Sequence, residues 1–282
     1  MTTRRVLLFL MGAMLFGQPQ RIVSTAPSIT ELLYALGLGD RVVGVTRFCV
    51  YPPEAQKKPK IGDYVNPNLE AIAALKPDLV IIQTNPVRLG ERLGDLHLKV
   101  LEIDQGNIAA IYNSIREVGQ ATGAQASAER LVDSIRNGLQ AVRASAARFN
   151  PTPMMLVVGR TPGRLDGVIV AGRTSYLNEI IQIAGGENVF RDAQAAYPQV
   201  SLEEVIARNA QVIVDMGDMG DRAAVTPEEK RDIIELWQRL PTLRAVKQHR
   251  VFPIATGGFL VPGPRVVDAA RDLFRLLHPE SK

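Results

Sequence analysis

The sequence carries one loop, helix start and strand twice, 133 positions apart. The stretch GDYVNPNLEAIAALKPDLVII, residues 62–82, returns in outline as AAYPQVSLEEVIARNAQVIVD, residues 195–215. The matched positions are a tyrosine, a helix-capping residue and a glutamate: Tyr64 with Tyr197, Asn68 with Ser201, and Glu70 with Glu203. Each copy then runs into an apolar segment of strand type. The repeat therefore predicts that the chain folds as two similar α/β halves.

The segments around both copies alternate between strand-like and helix-like patterns. The first series begins with RIVST (21–25), ITELLYALGL (29–38) and RVVGV (41–45), and the second with MMLVVG, GVIVAG and SYLNEIIQIAGG after residue 153. In the first series, short apolar strands bounded by Gly, Pro and Asp, with helices between them, favour an open parallel sheet covered by helices.

One long helix is predicted between the two series. Residues 125–148 lack proline and carry apolar residues at spacings of three or four: Leu131, Ile135, Leu139, Val142 and Ala146. Such a helix spans roughly 36 Å at about 1.5 Å per residue, the diameter of a small domain. We therefore predict the α/β class, with two Rossmann-like lobes joined by one long rigid α-helix. The predicted bounds are a first lobe at 21–123, the helix at 124–150 and a second lobe at 151–282.

The N-terminus has the pattern of a secretory signal peptide. Arg4 and Arg5 precede an eleven-residue apolar run, VLLFLMGAMLF, which is too short to cross a bilayer as a helix. We predict a signal peptide near residues 1–20 and an exported, periplasmic protein; an uncleaved anchor or a buried helix is the alternative. Cys49 is the only cysteine, so the chain has no lipid attachment point after the run and no internal disulfide.

Composition and motif content argue against several function classes. The formal net charge of +4 is not gathered into a basic run, which disfavours a nucleic-acid partner. The three histidines, His97, His249 and His278, have no partner at ligand spacing, and DMGDMGD (215–221) resembles a calcium loop only loosely. No nucleophile has a base beside it. We therefore expect no metal site, no resident cofactor and no enzyme activity.

The paired glutamates Glu70 and Glu203 stand in the first turns of their helices. Ser201 and Glu204 fit a capping box, and Asn68 caps the other copy. The helix dipole favours a carboxylate at this place by about 0.3–1 kcal/mol, which accounts for each glutamate separately but not for the matched pair. Two exposed carboxylates, one on each lobe, also suit docking onto basic residues of a symmetric partner.

Aromatic residues in loops are the candidates for ligand contacts. Tyr64 and Tyr197 precede their glutamates by six residues in loops flanked by Gly or Pro, and no helical period places them in a core. Facing each other across a cleft, they could clamp a large flat or apolar ligand by stacking. Phe48 and Phe259 are further loop aromatics that could extend this wall. The alternative is that these rings fill the hinge region.

Four blocks in order give the chain a family resemblance: RIVSTAPSITELLYALGLGDRVVGVTRFCVYPPEA, NPNLEAIAALKPDLVI, AGGENVF and YPQVSLEEVIA. From about Arg21 to the C-terminus they resemble the substrate-binding proteins of cobalamin and ferric-siderophore ABC importers, most of all the vitamin B12-binding branch. The resemblance implies a class III periplasmic receptor of the helical-backbone type, with little hinge closure and no catalysis. It also implies a monomer that delivers its ligand to a permease dimer with ATPase subunits and touches the inner membrane only through that permease.

The resemblance also implies roles for single residues. Glu70 and Glu203 match the two lobe glutamates of the family, which implies salt bridges to arginines of the permease. Phe48, Tyr64 and Tyr197 match positions where the cobalamin branch carries aromatic residues against the corrin.

The last cleft loop, ATGGFLVPGP (255–264), departs from the family, because it offers Gly257, Gly258 and Phe259 where cobalamin receptors can present acidic, basic and indole side chains. From the resemblance as a whole, the expected ligand is a small-molecule metal chelate, in the first place a corrinoid, with a ferric siderophore or haem as the alternative. A chelatase-like enzyme on a related scaffold is the alternative outside transport.

Overall fold

The computed structural model describes residues 17–63, 66–84, 88–217 and 225–280 of the chain. The predicted signal peptide falls on residues 1–20, of which 1–16 lie outside this part.

The first lobe is built on a four-stranded parallel sheet in the order β2-β1-β3-β4. Its strands are β1 Ile22–Ser24, β2 Val42–Val45, β3 Leu79–Gln83 and β4 Val100–Ile103. The helices around it are α1 Pro27–Ala35, α2 Leu69–Ala74, α3 Leu89–Gly94 and α4 Ile108–Thr122, with short 3-10 helices at Gly39–Arg41 and Pro53–Lys57. The predicted parallel sheet of the first lobe is confirmed.

A 22-residue helix, α5 Gln125–Ala146, follows the first lobe and spans roughly 33 Å at about 1.5 Å per residue. Of the five apolar positions that predicted it, Leu131 is half-buried and the other four are buried. The long helix between the two sheets is confirmed, whereas the division of the chain at residues 123 and 150 stays a prediction.

The second lobe contains a six-stranded mixed sheet. Its strands are β5 Thr152–Gly159, β6 Val168–Val170, β7 Gly186–Asn188, β8 Gln199–Val200, β9 Val212–Asp215 and β10 Val251–Pro253. Its helices are α6 Tyr176–Ile183, α7 Leu202–Arg208, α8 Pro227–Gln238, α9 Arg244–Lys247, α10 Thr256–Phe259 and α11 Val266–Leu277. Four strands form a parallel set in the order β7-β5-β9-β10, while β6 and β8 are antiparallel additions at the edge.

The structure confirms the repeat that was found in the sequence. The parallel order β7-β5-β9-β10 of the second lobe corresponds to β2-β1-β3-β4 of the first. The helices α2 and α7 begin at Leu69 and Leu202, and the strands after them begin at Leu79 and Val212. Both offsets are the 133 positions of the sequence match. The two lobes are therefore copies of one parallel unit, and only the second carries an antiparallel edge.

One hydrophobic core runs through both lobes. Alternate residues of a strand point to opposite faces, so each sheet divides its apolar side chains between two layers. Ile22 of the first sheet and Leu156 of the second belong to the same buried cluster, which also includes Ile135 and Leu139 of α5. The outer faces form separate clusters with the outer helices of each lobe. The long helix is thus part of the core and not an exposed linker.

Two glycines allow α5 to approach its neighbours closely. A Cβ added at Gly138 would lie 2.6 Å from a methyl carbon of Val267 in α11, and one added at Gly119 of α4 would lie 2.5 Å from the Cβ of Ala128. Real Cβ atoms do not come that near to other carbon atoms. Gly138 therefore serves helix packing, although glycine lowers helix propensity by about 1 kcal/mol relative to alanine.

We predict that Gly138→Ala lowers the free energy of unfolding by about 1–2 kcal/mol, because overpacking at a close helix contact costs about 1–3 kcal/mol and exceeds the gain in helix propensity. Urea denaturation measures the change. Gly94→Ala in α3 is the matched control, since no atom lies within 4 Å of the added Cβ there. Equal stabilisation by both substitutions would contradict the packing role. Adding Val267→Ala to the Gly138→Ala variant should restore part of its lost stability, because it removes the methyl groups that the new Cβ meets.

Candidate functional site

The candidate site lies where the carboxyl ends of the two sheets face each other. All strands of a parallel sheet end at one edge, and the loops at this edge form the binding crevice of open α/β folds. Across the gap, a Cβ added at Gly263 would lie 3.6 Å from the carbonyl oxygen of Ser28 at the start of α1. Nearby, Arg265 of the second lobe pairs with Glu31 of the first. We call the space between these two edges the cleft.

Phe48, a predicted ligand contact, follows β2 at the cleft edge of the first lobe and is half-buried. The guanidinium carbon of Arg47 lies 4.7 Å from the centre of the Phe48 ring. Arg47 also pairs with Asp63 at 3.3 Å, and its own side chain is 63% exposed. An exposed cation is held over a ring by only about 0.5–1 kcal/mol, so a flat ligand can displace Arg47 or share the stack with it.

Tyr197 is carried by a loop that is fixed to the edge of the second lobe. The N–H of Gly172 donates to the carbonyl of Ala196 at 2.9 Å. A Cβ added at Gly172 would lie 2.1 Å from the carbonyl oxygen of Ala195, so the loop can approach only because residue 172 is glycine. Tyr197 itself is 44% exposed. The loop therefore presents a large aromatic ring from a fixed backbone.

Tyr176 is a buried residue beside the Tyr197 loop. Burial raises the pKa of the Tyr176 hydroxyl well above its ordinary value, and the neighbouring Tyr197 and Glu31 raise it further. Tyr176 begins α6 in the second lobe, whereas Glu31 belongs to α1 in the first. The Tyr176 hydroxyl thus lies within electrostatic range both of Tyr197 in its own lobe and of Glu31 in the opposite lobe.

The two remaining predicted ligand contacts differ in their outcome. Tyr64 lies outside the described residues, although its neighbours 63 and 66 are described. Phe259 is 7% exposed and packs in the common core. The carbonyl of Phe259 accepts a hydrogen bond from the Tyr176 hydroxyl, which ties the last cleft loop to α6. The ligand role of Phe259 stays a prediction, and a ring this deeply buried offers a ligand little area.

The caps of α2 and α7 form as the sequence predicts. The side chain of Asn68 accepts from the N–H of Ala71 at 2.9 Å. Ser201 and Glu204 exchange two hydrogen bonds of 3.1 Å between side chain and backbone, which completes a capping box. These residues satisfy N–H groups that have no partner inside a helix. The caps leave the neighbouring glutamates free for other contacts.

Glu70 and Glu203, the predicted docking residues, are each the second residue of their helix. Both are exposed, and among the described residues the side chain of neither has a hydrogen bond or an ion pair. Because α2 and α7 lead into the parallel strands β3 and β9, their N-termini lie at the carboxyl edges of the sheets. Each lobe therefore places one unpaired carboxylate near the rim of the cleft.

Metal-ligating side chains do not gather in the described part of the chain. It contains no group of three or more His, Cys, Asp or Glu side chains that could hold a metal ion. His97 and His249 lie in turns just before β4 and β10, at the edges remote from the cleft. His278 follows α11 and stacks on Phe149, with ring centres 4.4 Å apart. No histidine of the chain lies at a cleft edge.

Cys49 is a buried core residue, as its isolation in the sequence suggests. The hydroxyl of Thr30 donates to its sulfur at 3.1 Å, and the hydroxyl of Thr46 lies at the same distance. Burial raises the pKa of the thiol. A thiol with a raised pKa in such surroundings is a weak nucleophile.

The comparisons with known proteins decide the family. The family described as Periplasmic binding protein matches residues 22–255. The chain belongs to this family. It is 31% identical over 269 residues to YvrC of Bacillus subtilis, an uncharacterized ABC transporter substrate-binding lipoprotein, across 94% of this chain and 82% of the relative.

Two solved structures share the fold of this periplasmic binding protein. The periplasmic vitamin B12 binding protein BtuF of Vibrio cholerae has a TM-score of 0.78 and 27% identity, over 94% of this chain and 99% of its own. The periplasmic haem-binding protein RhuT of Roseiflexus sp. RS-1, in its apo form, has a TM-score of 0.79 and 29% identity. The match covers 94% of this chain and 100% of the RhuT chain. The class III fold that the sequence resemblance implied is confirmed.

These findings establish the general role of the chain. It is a periplasmic binding protein of an ABC transporter of the B12, haem or siderophore type. The family is a solute-binding receptor fold and not an enzyme family. Binding proteins of ABC transporters work with a membrane permease and an ATPase. Within the described ranges, no helix is long and apolar enough to cross a membrane.

A buried polar cluster behind the second edge was missed by the sequence reasoning. Asp215, which was weighed only as part of a loose calcium loop, ends β9 and is fully buried. Its carboxylate accepts from Arg160 at 3.0 Å, from the indole of Trp237 at 2.7 Å and from the N–H of Gly217 at 2.6 Å. Arg160 follows β5, so this carboxylate joins the carboxyl ends of two central strands. A lone Arg after an apolar strand was the available signal.

We predict that Asp215→Ala lowers the free energy of unfolding by about 3–5 kcal/mol, because it leaves the buried Arg160 guanidinium without a counter-charge. Urea denaturation monitored by Trp237 fluorescence measures the loss. Asp133→Ala, which removes an exposed partner of Arg136, is the control and should change stability by less than about 1 kcal/mol. An effect of Asp215→Ala as small as that of the control would show that the cluster does not support this edge.

Proposed function

We propose that this periplasmic binding protein captures a corrinoid, a vitamin B12-like metal chelate, in the cleft and delivers it to its permease. Phe48, Tyr64 and Tyr197 form the aromatic wall. The observation that carries the proposal is Tyr197, a ring that is 44% exposed at the cleft edge, at the position that the repeat matches to Tyr64. The fold shared with a vitamin B12 binding protein supports it.

The binding free energy in this proposal comes from apolar area. Removing the face of a flat chelate from water contributes about 25 cal/mol per Å² of apolar surface, less the cost of ordering both partners. The common core that joins the lobes through α5 keeps the two edges in place before the ligand arrives. A cleft that is already formed reduces the ordering cost. Binding requires no chemical step.

Haem or a ferric siderophore is the second candidate ligand. Arg47 lies over Phe48, and Arg173 follows β6 in the strip of chain that packs against the Tyr197 loop. Arg173 is exposed and, among the described residues, has no ion pair. Arginines beside aromatic rings suit a flat ligand with carboxylates at its rim. The fold shared with the haem-binding RhuT favours the same alternative.

A chelatase-like enzyme is the candidate outside transport. Such an enzyme inserts a metal and needs a titratable side chain that removes protons from the ring nitrogens. The three histidines lie away from the cleft edges, so a glutamate at the cleft would have to serve as this base. A turnover assay with free porphyrin and a divalent metal separates it from a receptor, because a receptor binds without forming product.

The proposal assigns the delivery step to Glu70 and Glu203. Exposed carboxylates on both lobes suit arginines of a permease dimer, one on each subunit. Because the lobes share one core, the cleft does not open freely. We infer that the permease separates the lobes by holding them at these two points, which releases the ligand towards the membrane.

We predict that the double variant Tyr64→Ala and Tyr197→Ala weakens ligand binding by roughly 10- to 100-fold, since each stacked ring contributes about 0.5–1.5 kcal/mol beyond its buried area. Calorimetric titrations with cyanocobalamin, cobinamide, haemin and a ferric hydroxamate first identify the ligand and then measure the loss. Phe149→Ala, which removes a partly exposed ring beside His278, is the control and should bind normally. Unchanged affinity in the double variant would remove the aromatic wall from the proposal.

We predict that Glu70→Lys and Glu203→Lys together abolish ligand uptake by cells and leave the affinity of the purified protein unchanged. Glu228→Lys is a matched control, because Glu228 is also the second residue of a capped helix, α8, and loses the same dipole contact of about 0.3–1 kcal/mol. Uptake of labelled ligand is measured in cells in which each variant replaces the native chain. Normal uptake with the double variant would rule out docking through these residues.

A further inference from the structure

Two glutamates at corresponding positions reach from each lobe to the other. Glu31 lies in α1, the helix after the first strand of its lobe, and Glu179 lies in α6, the corresponding helix of the second lobe. The surrounding sequences are TELLYALG (30–37) and NEIIQIAG (178–185), and both end in a glycine with positive φ, at +78° and +81°. The glutamates therefore occupy corresponding positions of two equivalent helices, at an offset of 148 positions and not the 133 of the α2–α7 match.

Glu31 binds the start of α11 in the opposite lobe. Its carboxylate forms a bidentate contact with Arg265, in which Nε donates at 2.7 Å and Nη2 donates to the second oxygen. The Glu31 side chain is 3% exposed. Arg265 is fixed further by the carbonyl of Gly257 at 2.6 Å and by the ring of Tyr51, 4.2 Å from its guanidinium carbon. A planar guanidinium held on its edge and on its face has little freedom to follow a moving partner.

Glu179 binds the start of α4 in the first lobe. One oxygen of its carboxylate accepts from the N–H of Ile108 at 3.0 Å. Ile108 is the first residue of α4, whose cap Asn107 already serves the N–H of Ala110. Glu179 thus satisfies another unpartnered N–H of the helix and places a negative charge at its positive end.

The two contacts are equivalent under the repeat. The helices α4 and α11 are the long helices that follow the last strand of each sheet, β4 and β10. In each lobe the glutamate of the first helix contacts the N-terminus of the last helix of the other lobe. One contact alone does not oppose rotation of the lobes about that contact, whereas two separate contacts add to the shared core in restricting the angle between the two edges.

We propose that Glu31 and Glu179 are positioning residues that together set the width of the cleft. They act through the N-termini of α11 and α4, whereas the aromatic wall and the docking role are assigned to other residues. Their effect on ligand capture rests on the proposed function, but their effect on lobe geometry does not. The contacts are unequal, since Glu31 makes a buried bidentate ion pair and Glu179 a single half-buried hydrogen bond. The cleft therefore opens first between α4 and α6, with the Glu31–Arg265 pair as the pivot.

Distances between spin labels in the ligand-free protein test this inference. Labels are placed on cysteines introduced at two exposed lysines, Lys57→Cys in the first lobe and Lys230→Cys in the second, while the buried Cys49 stays unlabelled. We expect Glu179→Ala to shift the distance distribution to longer values and to broaden it. Glu179→Gln keeps an oxygen that accepts from Ile108 and should retain the native distribution. If the loss of the negative charge alone caused the change, the distance distribution would shift in both Glu179→Ala and Glu179→Gln.

Amide exchange at Ile108 gives an independent readout. Its N–H is protected in the structure by Glu179 alone among the described residues. Exchange should become about tenfold faster or more in Glu179→Ala and stay slow in Glu179→Gln, because local opening exposes this amide only when the acceptor is lost.

The Glu31 contact needs a paired design. Glu31→Gln leaves the Arg265 charge partly buried without a counter-charge and can prevent folding. The double variant Glu31→Gln and Arg265→Gln removes both charges and should lengthen the distances more than Glu179→Ala does. Native distances in both Glu179→Ala and the folded double variant would overturn the proposal. If the Glu31 variants do not fold, the Glu179 variants decide the question alone. No ligand is needed, so a failure of the proposed corrinoid binding would appear only in the titrations.

Discussion

The structure depends on one apolar core that does not stop at the boundary between the lobes. Val132, Ile135, Leu139 and Val142 of α5 lie in the same cluster as residues of both sheets. A large rotation of one lobe against the other would expose part of this cluster to water at a cost of about 25 cal/mol per Å². The two edges of the cleft are therefore held by one common core. This arrangement suits a receptor that binds in a nearly fixed geometry and depends on its permease for release.

Much of the fold could be predicted because most strands have a recognisable local sequence pattern. Runs such as LVII and VIV are apolar and rich in β-branched residues, and they lie in β3 and β9. The strand β7 has the sequence GEN, which has no strand propensity. It is a strand because it pairs with the first half of β5. Strand direction is likewise a tertiary property, so the antiparallel β6 looked like any other apolar run. The helix α4 was missed although its cap Asn107 and its spaced isoleucines carried a signal.

The site was predictable where it repeats and not where it depends on contacts between lobes. Glu70 and Glu203 stood out because the same position is filled twice, and their exposure follows from caps that are visible in the sequence. Phe259 looked like an exposed loop aromatic, but α10 turns its ring into the core. Arg265 and Glu31 are 234 positions apart, and no local pattern links them. The only sequence signal for this contact was Glu31 itself, a charged residue among the buried apolar residues of α1.

A buried ion pair between lobes is better explained by geometry than by stability. Desolvating Glu31 offsets much of its attraction to Arg265, and burial does raise the pKa of the Glu31 carboxyl although Arg265 lowers it. An apolar contact of the same size would stabilise the interface at least as well, but apolar side chains tolerate small sliding and rotation. A bidentate pair does not, because both hydrogen bonds weaken when the planes tilt. The apolar core thus holds the lobes together, and the crossed glutamates fix the angle at which they are held.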